Sequence, residues 1–376
     1  RHSDTHSLVL LKPDTVPLSQ EAIQFLESLD ATFPGPSHTV ELDYTRYTAQ
    51  HILNTVLPLE AQPAPTSYEQ VGHVAHINLK PNHLPYKHCI GDVLVSRVKT
   101  IETVVNKIGE VEGPYRTFDM EILAGKHDTK VTLQEHGVAL HFDMAQTYWC
   151  TRLSGQRKQL LKEEVKENQI VADPFCGVGA LCMLAAVQKN CTIWANDWNP
   201  HAYEAIQGNA KRNNVHQRQC KFFQQDAYDF LIDLGIDRET FPTLPHHVVM
   251  NFPLEAPRFL GALRWWPRAA TTTTKKEEDA VVVPRVHVYT FASTKDLKHT
   301  GLSVEDVAID LCVNNMLPPL DATEATGRRQ ELDEFGCRVK AKSIRDVAPG
   351  KEVVCVSFSA TGRLLATMQG DFDFDD

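Results

Sequence analysis

The sequence predicts an α/β protein whose C-terminal part, residues 166–376, is a doubly wound, largely parallel sheet with helices on both faces. Two smaller units are predicted before it, a small N-terminal α+β module over 1–66 and a mixed α+β middle domain over 67–165. Three observations support this division. Strand-like and helix-like stretches alternate after residue 166, a glycine-rich turn follows the first strand of that series, and a proline-rich linker at 58–70 closes the first module.

The composition is that of an ordinary folded protein, with 42% apolar and 23% charged residues. No apolar run approaches the roughly 18 residues of a membrane helix, so no membrane partner is predicted. The nine cysteines are scattered and odd in number, which fits neither a disulfide framework nor a metal site and favours a reducing compartment. The net charge of −10 argues against a large nucleic-acid surface but permits a local basic patch.

The first two units combine short strands with helices. Ser19 is the predicted cap of the first helix. In the N-terminal module, strands are predicted at 6–12 and 38–44 and helices at 18–29 and 48–58. In the middle domain, alternating or β-branched stretches predict the strands of a mixed sheet, with one or two helices. These stretches lie at 72–79, 91–98, 103–109, 117–125, 130–137 and 138–145, and a helix over 151–168 leads into the third unit.

The third unit has seven predicted strands, with helices between the first five. The last two strands are predicted to form an antiparallel hairpin at the end of the sheet. The segment 267–280 has no periodicity and is predicted to be a disordered surface insertion, and the acidic tail 370–376 is predicted to be solvated. The strands are predicted at 169–175, 191–197, 220–226, 246–253, 285–292, 337–347 and 352–360.

The glycine-rich turn lies in the sequence VADPFCGVGA, between the first strand and its helix. Gly177 and Gly179 permit a tight turn and a close approach of the backbone to a ligand. Asp173 ends the first strand, and Asp197 and Asp226 end the second and third. Because ligands bind at the carboxyl ends of such strands, we expect Asp197 to accept hydrogen bonds from ribose hydroxyls and Asp226 from an adenine amine.

S-adenosylmethionine suits this turn better than a dinucleotide does. A dinucleotide site needs a third glycine three residues after Gly179, where this chain has Cys182. Asp173 would repel a pyrophosphate, whereas it suits a cofactor with a positively charged aminoacyl end. A nicotinamide-dependent oxidoreductase therefore stays a distant alternative, which a failure to bind S-adenosylmethionine would favour.

The fourth strand ends in Asn251, Phe252 and Pro253. Asparagine has a donor and an acceptor on one planar amide, so it can read the edge of a nitrogen heterocycle. The proline stiffens the turn and the phenylalanine offers an apolar surface. An Asn-aromatic-Pro motif at this place is typical of methyl transfer to the nitrogen of a base or an amide.

Seven segments occur in the chain in the order HVAHINL, LPYKHCIGDVLV, KTIETVVNKIGEVEGPYRTFDMEILAG, YWCTRLS, DPFCGVGA, ANDWNP and VMNFP. In this order they resemble the eukaryotic and archaeal type of tRNA (guanine(37)-N1)-methyltransferase, and 99–125 is the most specific part. The resemblance implies a Rossmann-like, S-adenosylmethionine-dependent methyltransferase domain at the C-terminus. It also implies a middle domain that binds tRNA, an N-terminal module that contacts the tRNA, and methylation of N1 of guanosine 37, next to the anticodon.

The resemblance also assigns roles to single residues. Arg116 would stabilise the charge that builds on guanine O6, Asn251 would orient the guanine, and Pro253 would line its pocket. Tyr148 and Phe175 would pack against the cofactor or the target base. Together with the turn and strand-end residues predicted above, the residues expected to bind the cofactor are Tyr148, Arg152, Asp173, Phe175, Gly177, Gly179, Asp197, Asp226, Asn251 and Pro253.

One part of the family motif differs in this chain. After YW the motif continues Pro-Arg-Leu-X-X-Glu, and that glutamate is the proposed base for the N1 proton; here Thr151 replaces the proline and Gln156 stands at the catalytic position. An amide cannot take a proton at neutral pH. Three explanations stay open: Glu163 or Glu164 substitutes for the base, the base is dispensable, or the chain mainly binds tRNA. We favour retained activity with a different or dispensable base.

The predicted partner is a tRNA with guanosine at position 37, bound by a monomer without a metal. An aminocarboxypropyl transferase of the wybutosine pathway, using the same cofactor, and a non-catalytic tRNA-binding protein are the alternatives. The chain begins with Arg1, and we expect that the natural protein starts earlier. The cytoplasm, the nucleus and the mitochondrial matrix are all compatible with the sequence.

Overall fold

The structure is a computed structural model that describes residues 17–31, 43–65, 67–112, 115, 117–268, 282–293, 302–318, 328–348 and 350–370. Several predicted features lie outside the described residues. These are the strand at 6–12, the strand at 38–44 up to residue 42, the insertion 267–280 from residue 269 onward, and the acidic tail from residue 371 onward.

The described part of the N-terminal module contains two helices, α1 (Gln20–Ser28) and α2 (Ala49–Val56), close to their predicted positions. The Ser19 hydroxyl accepts a hydrogen bond from the Ala22 N–H at 3.2 Å, which confirms the predicted cap. Short 3-10 helices at Tyr44–Arg46 and Leu59–Ala61 flank α2.

The middle unit contains a four-stranded sheet, in which the strands follow one another in space as they do in sequence. The first and last pairs are antiparallel, and the central pair is parallel. The strands are β1 (Tyr68–Val71), β2 (Val74–Ile77), β3 (Thr103–Glu112) and β4 (Thr117–Gly125).

The prediction of a strand at 91–98 is wrong. Residues 91–97 belong to helix α3 (Lys87–Arg97), which follows a 3-10 helix at Pro81–Tyr86. The parallel pairing of β2 with β3 requires a crossover, and α3 supplies it. Gly91 allows the helix to lie directly on β4, since a Cβ there would come within 2.9 Å of the Cβ atoms of Leu123 and Ala124.

A separate hairpin of β5 (Lys130–Glu135) and β6 (Val138–Asp143) follows the four-stranded sheet. Two asparagines hold this hairpin: Asn209 in helix α6 (Pro200–Arg212) and Asn213, which directly follows the helix. Asn209 Oδ1 accepts from the His141 N–H at 2.7 Å, and Asn213 Oδ1 accepts from the Ala139 N–H at 2.8 Å. The hairpin therefore packs on the third unit, and the domain boundaries at 66 and 165 stay a prediction.

The third unit is built on a seven-stranded sheet with the spatial order β12-β13-β11-β10-β7-β8-β9. The five strands from β11 to β9 are parallel, while β13 is antiparallel to both β11 and β12. This arrangement confirms the Rossmann-like fold class and the terminal antiparallel hairpin. The strands are β7 (Ile170–Asp173), β8 (Thr192–Asn196), β9 (Cys220–Phe223), β10 (His247–Met250), β11 (Arg285–Ser293), β12 (Lys340–Ala348) and β13 (Lys351–Ser359).

Helices cover both faces of this sheet, and alternate strand residues face the two layers. In β7, Val171 belongs to one buried cluster and Ala172 to the other, as expected for a strand buried on both sides. Within the described ranges, no helix is both long and apolar enough to cross a membrane. Besides α6, the helices are α4 (Ser154–Glu163), α5 (Ala180–Lys189), α7 (Ala227–Ile236), α8 (Val304–Val313), α9 (Arg329–Glu334), α10 (Gly362–Met368) and a 3-10 helix at Ala256–Trp265.

Candidate functional site

The carboxyl ends of four neighbouring parallel strands bring the predicted polar residues to one edge of the sheet. Asp173 is the last residue of β7, Asp197 follows β8, Asp226 precedes α7 beyond β9, and Asn251 follows β10. Because the crossover helices begin at the same edge, their unpaired N–H groups face it as well. The edge thus combines acidic side chains with backbone donors, as a polar nucleoside cofactor requires.

The glycine-rich turn has the left-handed backbone that its sequence predicts. Gly177 has φ = +54° and Gly179 has φ = +84°, values that favour glycine. A Cβ on Gly179 would lie 2.5 Å from Cγ1 of Ile206, so the close approach of α6 also requires this glycine. A Cβ on Gly177 would meet no described atom within 4 Å, which leaves open space beside its backbone.

Asp197 ties the turn after β7 to the turn after β8. Its Oδ2 accepts from the Gly177 N–H at 2.7 Å, and its Oδ1 accepts from the Asn199 N–H at 3.0 Å. Burial raises the pKa of this carboxyl, although both backbone hydrogen bonds oppose the shift. Each oxygen keeps a second lone pair, so the predicted contact with a ribose is compatible with the geometry and stays a prediction.

Asp173 is only 4% exposed. Its Oδ1 accepts from the Phe175 N–H at 3.0 Å, and its Oδ2 lies 3.8 Å from the Cys182 thiol, which donates to it. Burial raises the pKa of Asp173 to about 7, and the charge of Asp197 adds to the rise. A buried carboxyl of this kind favours a cationic partner at the edge of the sheet.

Asn196 organises the same edge, although it is not among the site residues predicted from the sequence. Its Nδ2 donates to the Pro174 carbonyl at 3.2 Å and to the Gln225 carbonyl at 3.0 Å, while its Oδ1 accepts from the Gln225 N–H at 3.0 Å. This fully buried amide therefore joins the turns that carry Asp173, Asp197 and Asp226. The signal in the sequence is a polar residue at the end of the apolar strand TIWAN.

Asn251 and Pro253 lie half-buried beside a group of aromatic rings. The Phe175 ring stacks on Phe252, with centroids 5.1 Å apart, and meets Phe259 edge-on at 5.0 Å. The structure thus brings Phe175 next to the Asn-Phe-Pro motif, as a packing contact of the protein itself. Its predicted contact with a cofactor or a base stays a prediction.

The segment before α4 brings further predicted residues to this edge. Asn199 Nδ2 donates to the Gln146 carbonyl at 2.7 Å, so the chain at 146 lies beside the turn after β8. Two residues later, Tyr148 is 46% exposed. Trp149 anchors the segment to β6, since its ring packs on the Phe142 ring with centroids 5.0 Å apart.

Helix α4 carries Gln156 in its first turn, half-buried, and the preceding 3-10 turn exposes Arg152. Arg157 anchors this helix, because its Nε and Nη2 donate to the two oxygens of Glu135 at 2.8 and 2.6 Å. Both partners of this ion pair are buried. The first turn of α4 is therefore held firmly against the β5–β6 hairpin.

The two glutamates considered as substitute bases lie elsewhere. Glu163 is exposed at the end of α4, where its Oε1 accepts from Gln159 at 2.7 Å. Glu164 is ion-paired with Arg285 at 3.6 Å and with Lys340 at 3.2 Å. Since Arg285 begins β11, Glu164 lies at the amino edge of the sheet, opposite Asn251, and its prediction as a base is wrong.

Arg116 lies outside the described residues. Its described chain neighbour Tyr115 contacts Trp198 edge-on, with ring centroids 6.0 Å apart. Trp198 directly follows Asp197, so the loop between β3 and β4 extends at Tyr115 to the carboxyl edge of the large sheet. Among the described residues, no three metal-ligating side chains come together.

Comparisons with protein families agree with this geometry. A family model described as the TYW2 N-terminal domain matches residues 49–129, and one described as the TRM5/TYW2 methyltransferase domain matches residues 131–291. The tRNA (guanine(37)-N(1))-methyltransferase 2 of Phaeodactylum tricornutum is 46% identical over 94% of this chain and 65% of its own length.

Further relatives carry the name tRNA (guanine(37)-N(1))-methyltransferase. The human protein is 30% identical over 91% of this chain and 62% of its own length, and the Phytophthora infestans protein is 32% identical over 91% and 74%. The chain thus spans less than two thirds of the diatom and human relatives.

Solved structures share the fold. Trm5b from Pyrococcus abyssi superposes with a TM-score of 0.61 at 21% identity, covering 90% of this chain and 95% of that protein. The structure titled as the complex of aTrm5 and tRNALeu has a TM-score of 0.61 at 20% identity and covers 89% and 86% of the two chains.

Proposed function

Because the chain belongs to the family of tRNA (guanine(37)-N(1))-methyltransferases, we propose that it transfers a methyl group from S-adenosylmethionine to N1 of guanosine 37 in tRNA. The observation that carries this proposal is the shared edge at which Asp173, Asp197, Asp226 and Asn251 lie at or shortly after the carboxyl ends of four neighbouring strands. Since the chain spans 65% and 62% of the diatom and human relatives, their whole activity is a proposal for this chain.

The residues at this edge fit S-adenosylmethionine. The open space beside Gly177 accommodates the cofactor against the backbone, and the buried Asp173 matches its cationic aminoacyl end. Asp197 would accept from the ribose and Asp226 from the adenine amine. Asp226 has room for this role, since it is exposed and its Oδ1 caps α7 through the Tyr228 N–H at 2.7 Å, which leaves Oδ2 for a ligand. When bound, the cofactor supplies an activated methyl group on a sulfonium.

The chain's own residues would place guanine N1 in line with that methyl group. Within the described residues, no hydrogen bond engages the Asn251 side chain, so its donor and acceptor are available to the guanine edge. Pro253 and the exposed Tyr148 would confine the base, which a loop can present unstacked at little cost. Arg116 would stabilise the negative charge on O6, for which a planar guanidinium is suited.

We also propose that the chain acts as a monomer on tRNA without a metal, because one chain supplies every ligand contact assigned above. The exposed Arg152 lies where it can approach the cofactor or an RNA phosphate. The cytoplasm, the nucleus and the mitochondrial matrix stay the expected compartments.

The function is tested by single-turnover methylation of an unmodified tRNA transcript with guanosine 37, comparing the protein with its Gln156→Glu variant. We expect S-adenosylhomocysteine and N1-methylguanosine in equal amounts, at a rate that the variant changes little. Methylthioadenosine as by-product would establish aminocarboxypropyl transfer instead. Tight tRNA binding with turnover only in the Gln156→Glu variant would establish that the natural chain serves to bind.

Cofactor binding should depend on pH through Asp173. Since burial raises its pKa to about 7, the free protein holds a proton there in mild acid, whereas the cationic end of the cofactor favours the ionised form. Affinity for S-adenosylmethionine should therefore rise with pH up to about 7 and level off above it. Calorimetry in buffers of different ionisation enthalpy should show proton release on binding below this pH, and Asp173→Asn should abolish the release. A release that persists in Asp173→Asn would contradict the assignment.

A further inference from the structure

A carboxylate from the four-stranded sheet contacts the segment that leads to Gln156. Glu69 of β1 accepts a hydrogen bond at its Oε1 from the Thr151 N–H at 3.3 Å. A proline at 151 would have no N–H to donate. The two differences from the family motif are therefore related. The segment lacks a glutamate at 156, and its N–H at Thr151 holds the carboxylate of Glu69 from the four-stranded sheet.

The surroundings of Glu69 keep it in the ionised form, the form in which a carboxylate can accept a proton. Burial alone would raise the pKa of Glu69, but the hydrogen bonds from Thr151 and the positive charge of Lys107 outweigh it and lower the pKa below its usual value. The carboxylate is therefore ionised at neutral pH. Its side chain remains 25% exposed, so it is accessible to a ligand bound over this segment.

His76 completes the surroundings of this carboxylate. It lies directly across from Glu69 in the β1–β2 pair, and its Nε2 is 3.4 Å from Glu69 Oε2. Burial lowers the pKa of His76 to about 4, so the imidazole is neutral and leaves the charge of Glu69 in place. The buried Nδ1 of His76 has no hydrogen-bond partner in the described part of the chain.

Other carboxylates near this segment are committed elsewhere. Glu135 is bound on both oxygens by Arg157, and Glu164 is ion-paired at the opposite edge of the sheet. Glu69, in contrast, is held at Thr151, which adjoins Arg152 and follows the exposed Tyr148 by three residues.

We propose that Glu69 is the carboxylate that takes the N1 proton of the target guanine. This inference rests on the proposed function. In the step, the N1–H proton passes to a Glu69 oxygen, and the electron pair left on N1 forms the bond to the methyl carbon. The pair of the breaking carbon–sulfur bond stays on sulfur, which changes from a sulfonium to a neutral thioether. Glu69 then releases its proton to water.

The test compares Glu69→Gln with Glu69→Ala in single-turnover methylation, because glutamine keeps an acceptor for the Thr151 N–H but takes no proton. Glu69→Gln should lower the rate about 100-fold with unchanged affinity for tRNA and cofactor. At saturating tRNA and cofactor, the rate of the natural chain should be flat from mildly acidic to mildly basic pH, since its carboxylate is already ionised. The rate of Glu69→Gln should rise with pH over that range, because hydroxide must then remove the proton. The matched control is Glu334→Gln, an exposed glutamate at the end of α9 that accepts a hydrogen bond from Gln330 at 3.1 Å and should leave the rate unchanged.

A second variant tests the same contact without altering the carboxylate. Thr151→Pro removes the N–H that holds Glu69 and should slow transfer about 10-fold. Adding Gln156→Glu to Thr151→Pro or to Glu69→Gln should restore the rate, because a carboxylate then returns to the motif.

Three results would overturn the proposal. If the natural chain is active and the Glu69→Gln variant methylates tRNA at the same rate, Glu69 takes no proton. A slow Glu69→Ala beside a normal Glu69→Gln shows that Glu69 only positions Thr151. If the natural chain transfers no methyl group to tRNA at all, the proposed function fails, and this inference fails with it.

Discussion

Replacing Asp197 with asparagine is expected to weaken S-adenosylmethionine binding about 100-fold while tRNA affinity stays nearly unchanged. The carboxylate accepts from the backbone N–H groups of Gly177 and Asn199 and would also accept from the ribose. An amide keeps one acceptor, and its NH2 group faces one of those N–H groups instead. The loss therefore affects both the ribose contact and the glycine-rich turn that lies against the cofactor. Isothermal calorimetry with each ligand separately measures the two affinities.

The control for this prediction is Asp226→Asn, in which an exposed carboxylate that caps α7 is replaced by another good capping residue. This variant should lose less than about 10-fold in cofactor affinity, because one neutral contact to the adenine amine remains. Equal losses for tRNA and cofactor in Asp197→Asn, with a lowered melting temperature, would show instead that Asp197 acts as a structural link.

Replacing Arg116 with alanine is expected to lower the single-turnover rate about 100- to 1000-fold with both ligands still bound. As guanine N1 gains its methyl group, the proton leaves and negative charge builds on O6. A guanidinium placed there stabilises the transition state more than the bound ground state, so the rate constant falls and the dissociation constants do not. Rapid-quench kinetics at saturating tRNA and cofactor measure this rate.

Arg116→Lys separates charge from geometry, since lysine keeps the charge but lacks the planar pair of donors. We expect an intermediate rate for this variant. A loss of tRNA affinity at an unchanged rate in Arg116→Ala would assign Arg116 to phosphate binding and contradict its role at O6.

Much of the third unit could be predicted because its strands are buried on both faces. Runs such as VVM at 248–250 and IWA at 193–195 are apolar at successive positions and are followed by Asn or Asn-Asp, so local sequence alone marks both the strand and its end. The stretch at 91–98 was predicted wrongly for the opposite reason. Its β-branched residues Val93, Val95 and Val98 favour a strand, yet the parallel pairing of β2 and β3 requires a helix there.

The candidate site likewise contains residues that could be predicted from the sequence and residues that could not. Asp173, Asp197, Asp226 and Asn251 could be predicted because each lies at or shortly after the end of a strand, and parallel strands bring their carboxyl ends together. The roles of Asn196 and Glu69 could not be predicted in this way. Glu69 and Thr151 are 82 residues apart, and no local pattern marks a hydrogen bond between two units of the chain.

The sequence by itself determined the order of the strands in the third unit, the glycine-rich turn and the acids near the strand ends, because hydrophobic runs and backbone freedom act over a few neighbouring residues. Only the tertiary structure decided that Glu164 lies at the amino edge of the seven-stranded sheet and that Glu69 accepts a hydrogen bond from Thr151. The first fact depends on how α4 leads into the seven-stranded sheet, and the second on how the four-stranded sheet packs against the segment before α4. Packing sums many weak contacts between residues distant in sequence, and a carboxylate's chemistry follows from the neighbours that this packing gives it.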